Sequence, residues 1–368
     1  MKHLLNVLSI CVLTGGIAGC GNQRNTTNAV SSSVLSNPAW EPTGRYLVPN
    51  DDQNLADIIA REFDAEGLKD GALVVYATPA QAERLKAIAP RSWMDVPDVQ
   101  AEIMDQLETL PEGTPELFNY PKVQQRLSEL QAAHPDIVEL VQYGTTTQDR
   151  NLIAARITAP GNSDGRPAVM ITGATHGNEI LTVDVVMALI EEAATSYATS
   201  ARFKNMLESK VLYFVPVVSP DSYVVNSRHV DGVDPNREYP WPEKPSRNPT
   251  RVINAIMEFS AGLNLAGSID YHSTASMIMY PWAWTRDLPA DRLKYESITA
   301  SMAAVNKYQA GQISRILYVA QGSSADYYYW KYGSISLGIE LSQGSPSGVS
   351  QVIQENREST WRFVEAMN

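Results

Sequence analysis

The run Val169-Met170-Ile171-Thr172-Gly173 is almost wholly apolar, and so is the run Val211-Leu212-Tyr213-Phe214-Val215-Pro216-Val217. Continuous apolar runs of this length are typical of strands that are buried on both faces of a sheet. Residues 182–194 and 251–259 have the pattern of intervening helices. This alternation predicts an α/β fold with a mixed, mostly parallel central sheet flanked by helices, whose ligands bind at the carboxyl ends of the central strands.

Polar side chains suited to metal binding stand close to the ends of two predicted strands. His176 follows the first run after a short loop, and Glu179 comes three residues later, where a helix begins. His272 ends the run Gly267-Ser268-Ile269-Asp270-Tyr271, so a neighbouring strand would bring it to the same edge of the sheet. Two imidazoles and a carboxylate, with a fourth position open for water, form the ligand set of a catalytic zinc site. Taken alone, the spacing also fits polar residues in a surface loop.

Four blocks of sequence stand in a telling order and spacing. They are His176-Gly177-Asn178-Glu179, Gly232-Val233-Asp234-Pro235-Asn236-Arg237, Ile269-Asp270-Tyr271-His272-Ser273, and a late block of Tyr318-Val319-Ala320-Gln321-Gly322-Ser323-Ser324-Ala325-Asp326 followed by Ile339-Glu340-Leu341. With these blocks the chain resembles the carboxypeptidase A/B-type zinc carboxypeptidases, across residues 118–366. The resemblance implies one Zn²⁺ per chain, held by His176, Glu179 and His272. It also implies an enzyme that cleaves the C-terminal peptide bond of a peptide with a free C-terminus.

The resemblance assigns roles toward the substrate to four further residues. Arg237 would hold the C-terminal carboxylate, since a planar guanidinium makes two parallel hydrogen bonds with it, and Asn236 would add to that grip. Tyr318 would close over the bound end and donate its hydroxyl. Arg228 occupies about the place of the family's carbonyl-polarising arginine and would stabilise the developing oxyanion together with zinc.

Glu340 matches the family's catalytic glutamate and would act as the general base. It would take a proton from the water that zinc activates and hand it to the leaving amine. The alternative is a strand-end carboxylate in a surface salt bridge, but Glu340 stands inside the apolar run from Ile335 to Leu341, where an unpaired charge would be costly. By the same resemblance, Asp234 accepts a hydrogen bond from His176 and fixes the tautomer of that imidazole.

The residues that match the family's pocket for the C-terminal side chain are uncharged. In relatives that remove Lys or Arg, an acidic residue stands where this chain has Ala325, so a preference for basic residues is disfavoured. The small residues Ala325 and Gly338 leave space, which predicts a preference for apolar or aromatic C-terminal residues. The matching positions are Met279, Ile313, Leu317, Ala320, Ser323, Ala325 and Gly338.

The first twenty residues indicate export and lipidation. Lys2 precedes an apolar run over residues 4–13, as in a secretory signal peptide, and Ile17-Ala18-Gly19-Cys20 resembles the bacterial lipobox. We expect a signal peptide over residues 1–19 and a lipid anchor at Cys20, on the periplasmic face of the bacterial cell envelope. The outer membrane is preferred because no aspartate follows Cys20 directly. The alternative is an ordinary cleavable signal.

The rest of the chain divides into a tether and two domains. Residues 20–44 are small and polar and predict a disordered tether. Residues 45–112 predict a small α+β domain of the order β-α-β-α-β, with helices near residues 55–63 and 79–88. This domain weakly resembles the activation domain that precedes such enzymes in their zymogens, so we expect it to dock over the active-site cleft. The catalytic domain is expected over residues 113–368.

Charge and cysteine content limit the partners. A formal net charge of −12, without a local block of Lys and Arg, argues against binding to nucleic acid. Both cysteines fall in the signal and the anchor, so no disulfide is expected in the folded part, and we expect a monomer. Two alternatives stay open: a murein peptide hydrolase or amidohydrolase of the same zinc architecture, and a non-catalytic binding lipoprotein.

Overall fold

The structure of the protein is a computed structural model. The expected signal peptide, the lipid anchor at Cys20 and nearly all of the tether lie outside the residues that it describes, as does the predicted domain boundary at residues 112 and 113. These therefore stay predictions. Within the described part of the chain, no helix combines the length and the apolar character needed to cross a membrane. The described residues are 43–99, 101, 102, 105, 117–342 and 348–367.

The N-terminal unit, residues 43–99, is a four-stranded antiparallel sheet with two helices. Side chains cap both helices: Asp52 accepts from backbone N–H groups of the first, and Thr78 forms a capping box with Gln81 on the second. The strands lie in the order β2-β3-β1-β4. In chain order the elements are β1 (Gly44–Pro49), α1 (Gln53–Glu62), β2 (Asp64–Lys69), β3 (Ala72–Ala77), α2 (Pro79–Ile88) and β4 (Trp93–Val96).

Strand β2 was not expected, so the predicted order β-α-β-α-β is wrong and the observed order is β-α-β-β-α-β. Its sequence, Asp64-Ala65-Glu66-Gly67-Leu68-Lys69, is rich in residue types that are depleted in strands. It is nevertheless a strand because it pairs with β3 along almost its whole length. Asp70 and Gly71, with φ of 52° and 78°, turn the chain between the two strands. An Asp-Gly pair is a common hairpin signal, and it was available in the sequence.

A mixed eight-stranded sheet forms the centre of the remaining chain. Its inner strands β12, β9, β7 and β8 are parallel, and antiparallel pairs join β10 to β12, β6 to β8 and β5 to β6. This confirms the predicted α/β fold. From one edge to the other the strands are β11 (Gln309–Gln312), β10 (Met277–Tyr280), β12 (Ile335–Leu341), β9 (Leu265–Ser273), β7 (Ala168–Thr172), β8 (Val211–Val215), β6 (Asn151–Ile157) and β5 (Val138–Thr145).

Helices pack against this sheet and bury its apolar side chains. All five residues of β7 are buried, as its continuous apolar sequence predicts, and α4 is buried along most of its length. The helices are α3 (Tyr120–Ala133), α4 (Leu181–Ser196), α5 (Ala201–Ser209), α6 (Pro220–Val224), α7 (Arg251–Ala261), α8 (Arg292–Asn306), α9 (Ile313–Ile316), α10 (Ser324–Tyr332) and α11 (Val349–Ala366).

The N-terminal unit and the larger part of the chain share a hydrophobic cluster. Side chains of β1 to β3 and of both helices in the unit pack with residues that follow β9 and β11. Burial of apolar surface on both sides stabilises this contact. The shared cluster includes Val48, Ala56, Ile59, Phe63, Ala65, Leu73, Val75 and Leu85 from the unit, and Met277, Met279, Ala283, Ile313, Leu317, Tyr318, Ala320 and Ala325 from the larger part.

Candidate metal centre and active site

The three predicted metal ligands meet at the carboxyl edge of the central sheet. His176 and Glu179 lie in the loop between β7 and α4, and His272 lies near the end of β9, the parallel neighbour of β7. Their ligand atoms all lie within 4.8 Å of one another. Nδ1 of His176 is 2.8 Å from Glu179, and Nδ1 of His272 is 3.0 Å from it. All three side chains are buried.

Each imidazole has one carboxylate beside its Nε2 atom, on the side away from Glu179, and this carboxylate fixes the orientation of the ring. Nε2 of His176 lies 3.0 Å from Asp234, as predicted, and Nε2 of His272 lies 3.1 Å from Asp270. A proton on each Nε2 leaves both Nδ1 atoms free as ligands. Asp270 is held in turn by the hydroxyl of Ser324, which donates to it at 2.6 Å.

The buried carboxylates around the two imidazoles favour a bound positive charge. Burial alone would raise the pKa of Glu179, but the imidazoles of His176 and His272 outweigh it and bring that pKa to about 2. Burial lowers the pKa of His272, yet Asp270 and Glu179 outweigh burial and raise that pKa well above its usual value. Two imidazole nitrogens, whose rings are oriented by Asp234 and Asp270, and the carboxylate of Glu179 fit the ligand set of a catalytic zinc ion.

Glu340 lies beside the metal ligands on the adjacent strand. It stands on β12 directly opposite His272 on β9 and is 8% exposed. Within the described chain, its Oε2 atom has no hydrogen-bond partner. Burial raises the pKa of the Glu340 carboxyl to about 7, although the neighbouring His272 favours the ionised form. A buried carboxylate without a partner is costly to folding, so its retention here is typical of a functional group.

Arg228 also points into this cavity and is surrounded by acidic side chains. It donates to Asp234 at 2.9 Å and to Glu66 at 2.9 Å, and Asp64 forms a third ion pair with it. Its Nη1 atom lies 3.1 Å from Nδ1 of His176. Burial opposes the charge on Arg228, but these carboxylates raise its pKa well above the usual value. The guanidinium is therefore charged and directed at the metal site.

Arg237 and Tyr318 form another corner of the cavity, in which Arg237 supplies a positive charge. Arg237 donates to the Tyr318 hydroxyl at 3.3 Å and to the backbone oxygen of Asn236 at 3.0 Å. In the described ranges no acidic side chain forms an ion pair with Arg237. The side chain of Asn236 accepts from the backbone N–H of Ser324 at 2.8 Å, which fixes its position. This corner is thus suited to an incoming carboxylate.

Apolar side chains form the wall of the same cavity. The cavity is lined by the metal ligands, Arg228, Asn236, Arg237, Tyr318 and Glu340, and also by a set of small and apolar side chains. A Cβ atom added to Gly338 would meet no atom within 4 Å, so the wall has open space at that point. The predicted pocket residues do come together, since the uncharged lining includes Ala65, Met279, Ala283, Ile313, Leu317, Ala320, Ser323, Ala325 and Gly338.

Three acidic residues of the site were not predicted from the sequence. Asp270 stands two residues before His272 on β9, and strand alternation puts both side chains on one face, so the motif itself carried that signal. Asp64 and Glu66, which both pair with Arg228, come from strand β2 of the N-terminal unit, far away in the chain. Since β2 was not predicted, no local pattern pointed to these two residues.

Comparison with known proteins agrees with this geometry. A family model described as zinc carboxypeptidase matches residues 123–362. A zinc carboxypeptidase from Saccharothrix mutabilis subsp. capreolus is 25% identical, and the match covers 84% of this chain and 81% of that relative. Zinc carboxypeptidase A 1 from Drosophila melanogaster is 26% identical over 247 residues, and the match spans 56% of this chain and just over half, 56%, of that protein.

A solved structure shows the same fold. Carboxypeptidase A from Helicoverpa armigera superposes with a TM-score of 0.76 at 18% identity, over 89% of this chain and 98% of that one. The family model covers well over half of this chain, and zinc is the metal of that family. His176, Glu179 and His272 are the residues suited to hold it. The chain therefore belongs to the zinc carboxypeptidase family and is a metallocarboxypeptidase.

Proposed function

We propose that the protein removes single residues from the C-terminus of peptides, with a preference for apolar or aromatic residues. The observation that carries the proposal is Arg237, a partly buried cation that no described carboxylate pairs with, beside the Tyr318 hydroxyl. A guanidinium in this setting recognises a free C-terminal carboxylate. The peptide bond before that residue would then lie near Glu340 and the metal ligands, which line the same cavity.

The residues around the bond have complementary roles in this proposal. His176, Glu179 and His272 would hold the zinc ion, which when bound would supply a Lewis acid that polarises a carbonyl and lowers the pKa of water. Glu340 accepts the proton of the attacking water on its unpaired oxygen and then delivers it to the leaving amine. Arg228 stabilises negative charge on the carbonyl oxygen as it develops.

Hydrogen-bonded neighbours would keep these groups in place. Asp234 accepts from Arg228 at 2.9 Å and lies 3.0 Å from His176, so one carboxylate orients both. Asn236 lies beside Arg237 and would add an amide donor for the substrate carboxylate. Tyr318, already within 3.3 Å of Arg237, would close the carboxylate site from the other side.

The lining of the cavity supports the apolar preference. Ala325 is buried in the wall and offers no charge to a basic side chain. The open space beside Gly338 gives room for a large side chain. Because apolar surface is stabilised when it leaves water, Phe and Leu would gain more in this pocket than Lys.

Hydrolysis of a matched peptide series tests the proposal. Purified zinc-loaded protein is assayed with blocked dipeptides that end in Phe, Leu, Ala or Lys, and with murein stem peptides. We expect kcat/KM to be highest for Phe and Leu, and no cleavage when the C-terminus is amidated. Preference for Lys would contradict the pocket assignment. Cleavage of murein peptides alone would contradict the substrate class.

A further inference from the structure

A second cavity lies next to the active-site cavity and shares Ala65, Arg237 and Ala320 with it. It is open to solvent and measures about 600 Å³. Side chains of helix α1 and of the segment that follows Arg237 in the chain both line it. The groups proposed for hydrolysis include Arg237 but no other cation of this second cavity.

Four cationic side chains line the second cavity without an acidic partner. They are Arg61, Arg237, Lys244 and Arg247. Across the described ranges of the chain, none of the four forms an ion pair with a carboxylate. The whole protein has a formal net charge of −12, so unpaired cations gathered at one place form a local region that attracts anions.

The acidic side chains of the second cavity do not neutralise these cations, because they are bound to cations outside its lining. The pairs are Asp57 with Arg286, Glu62 with Arg84, and both Asp64 and Asp234 with Arg228. Glu238 lies close enough to act on the charge of Arg247. It accepts instead from the backbone N–H and the hydroxyl of Thr250, at 2.9 Å and 2.6 Å.

Trp241 orders two of the cations and adds a donor of its own. Nζ of Lys244 lies 5.8 Å from the centre of its ring, and Cζ of Arg247 lies 5.1 Å from it. Trp241 and Lys244 also exchange two backbone hydrogen bonds, which fix the turn between them. The Trp241 side chain is 5% exposed, and its Nε1–H has no partner in the part of the chain that the structure describes.

The chemistry of these groups defines the ligand that they can bind. Guanidinium, ammonium and indole N–H groups all donate hydrogen bonds and accept none. A buried N–H without a partner is costly, so a ligand that accepts from Trp241 would remove that cost. A phosphate group offers three acceptor oxygens and nearly two negative charges, whereas a carboxylate offers two oxygens and one charge. Several unpaired cations together therefore favour a divalent oxyanion.

We propose that Arg61, Trp241, Lys244 and Arg247 form a binding site for a divalent oxyanion, namely a phosphate or sulfate group. The site is separate from the metal ligands and from Glu340, none of which lines the second cavity. Because Arg237 lines both cavities, the bound group would lie beside the place proposed for the carboxylate of the peptide. This binding goes beyond hydrolysis and does not depend on it.

The test compares wild-type protein with Lys244→Gln, Arg247→Gln and Trp241→Phe, all as full zinc-loaded chains. Lys331→Gln is the matched control, because Lys331 also lies over an indole ring, that of Trp330, at 6.0 Å. Lys331 lines neither cavity. Each protein is titrated calorimetrically with sodium phosphate, sodium sulfate and sodium acetate. Sodium chloride keeps the ionic strength constant, since surface electrostatics depend on it.

We expect phosphate and sulfate to bind to the wild-type protein, and acetate to bind at least about tenfold more weakly because it has one charge. Lys244→Gln and Arg247→Gln should each weaken phosphate and sulfate binding roughly tenfold, since each removes a charged donor. Trp241→Phe keeps an aromatic ring and removes only the N–H, so its loss should be about threefold. Lys331→Gln should bind as the wild type does.

Three outcomes would overturn the proposal. The first is a wild-type protein that binds neither phosphate nor sulfate. The second is equal affinity in all variants, which would place the anion elsewhere, for example on the zinc ion. The third is an equal loss in Lys331→Gln, which would show an effect of net charge alone. Lys244 is exposed, so its replacement tests the site even where Trp241→Phe does not fold. Hydrolysis is not measured, so the result is independent of the proposed function.

Discussion

Glu340 and His272 lie directly opposite each other on the neighbouring parallel strands β12 and β9. The register therefore brings the expected base next to a metal ligand without a shared hydrogen bond. His272 is held instead by Asp270 and Glu179, whereas Oε2 of Glu340 has no partner within the described residues. A carboxylate that is positioned by its backbone and keeps a free oxygen is suited to accept a proton from water.

Glu340→Gln is expected to keep zinc and lose hydrolysis. The amide has nearly the same volume but cannot accept the proton, so kcat should fall at least about a hundredfold. Metal analysis and steady-state rates on the same samples check this. Glu258→Gln, an equal change on an exposed residue of α7, is the control and should retain the wild-type rate. Full activity of zinc-loaded Glu340→Gln would refute the assignment of the base.

Arg237→Lys is expected to reduce the preference for a free C-terminus. Lysine keeps the charge but not the two parallel hydrogen bonds of a guanidinium. A hydrogen bond to a charged group contributes about 1.5–3 kcal/mol, so kcat/KM should fall roughly tenfold to a hundredfold. The measurement is the ratio of kcat/KM for a peptide and for its C-terminal amide. An unchanged ratio would show that the carboxylate binds elsewhere.

Gly338→Ala and Gly338→Val are expected to make the pocket smaller in two steps. The added Cβ meets no atom within 4 Å, so the alanine variant should fold normally. Because Gly338 and Glu340 point to the same face of β12, the new side chain would enter the cavity beside the base. We expect kcat/KM for peptides ending in Phe to fall with each step, by about tenfold for valine. Peptides ending in Ala serve as the internal control, and an equal loss for both would indicate a general defect.

Asp184→Asn is expected to stabilise the fold at high pH. Asp184 is 6% exposed, accepts from the backbone N–H of Phe118 at 3.3 Å, and has one oxygen without a partner among the described residues. Burial raises its pKa to about 7. The folded state thus binds this proton more tightly than the unfolded chain, and stability falls as pH rises from about 4 to about 7.

The asparagine variant removes that cost, because it has no charge to bury. Its Tm should exceed that of the wild type by at least about 3 °C at pH 8, and by little at pH 4. Thermal unfolding across this pH range is the measurement. Asp136→Asn, on an exposed residue, should show no such trend. A gain that is equal at both pH values would mean that ionisation of Asp184 is not its cause.

The sequence by itself predicted the central sheet and the edge of it at which the candidate metal ligands meet. The apolar runs of β7 and β8 are long and continuous, and β-strands buried on both faces require such runs. His176 and Glu179 follow β7 within a few residues, so their relative position depends on one loop. The resemblance over residues 118–366 added the order of Arg237, Tyr318 and Glu340, and the structure brings all three to one cavity.

Only the tertiary structure decided what lies in that cavity. Strand β2 has a polar sequence with weak strand propensity, and it exists because it pairs with β3 and is buried against the active site. Glu66 and Arg228 are 162 residues apart in the chain, so no local pattern links them. Nor does a local pattern indicate that Arg237 lacks an acidic partner in the described chain, because this depends on how distant segments pack. The spacing of apolar residues in the sequence indicates which face of a helix or strand is buried. The partner of a buried charge, in contrast, depends on which helices and strands the fold brings together.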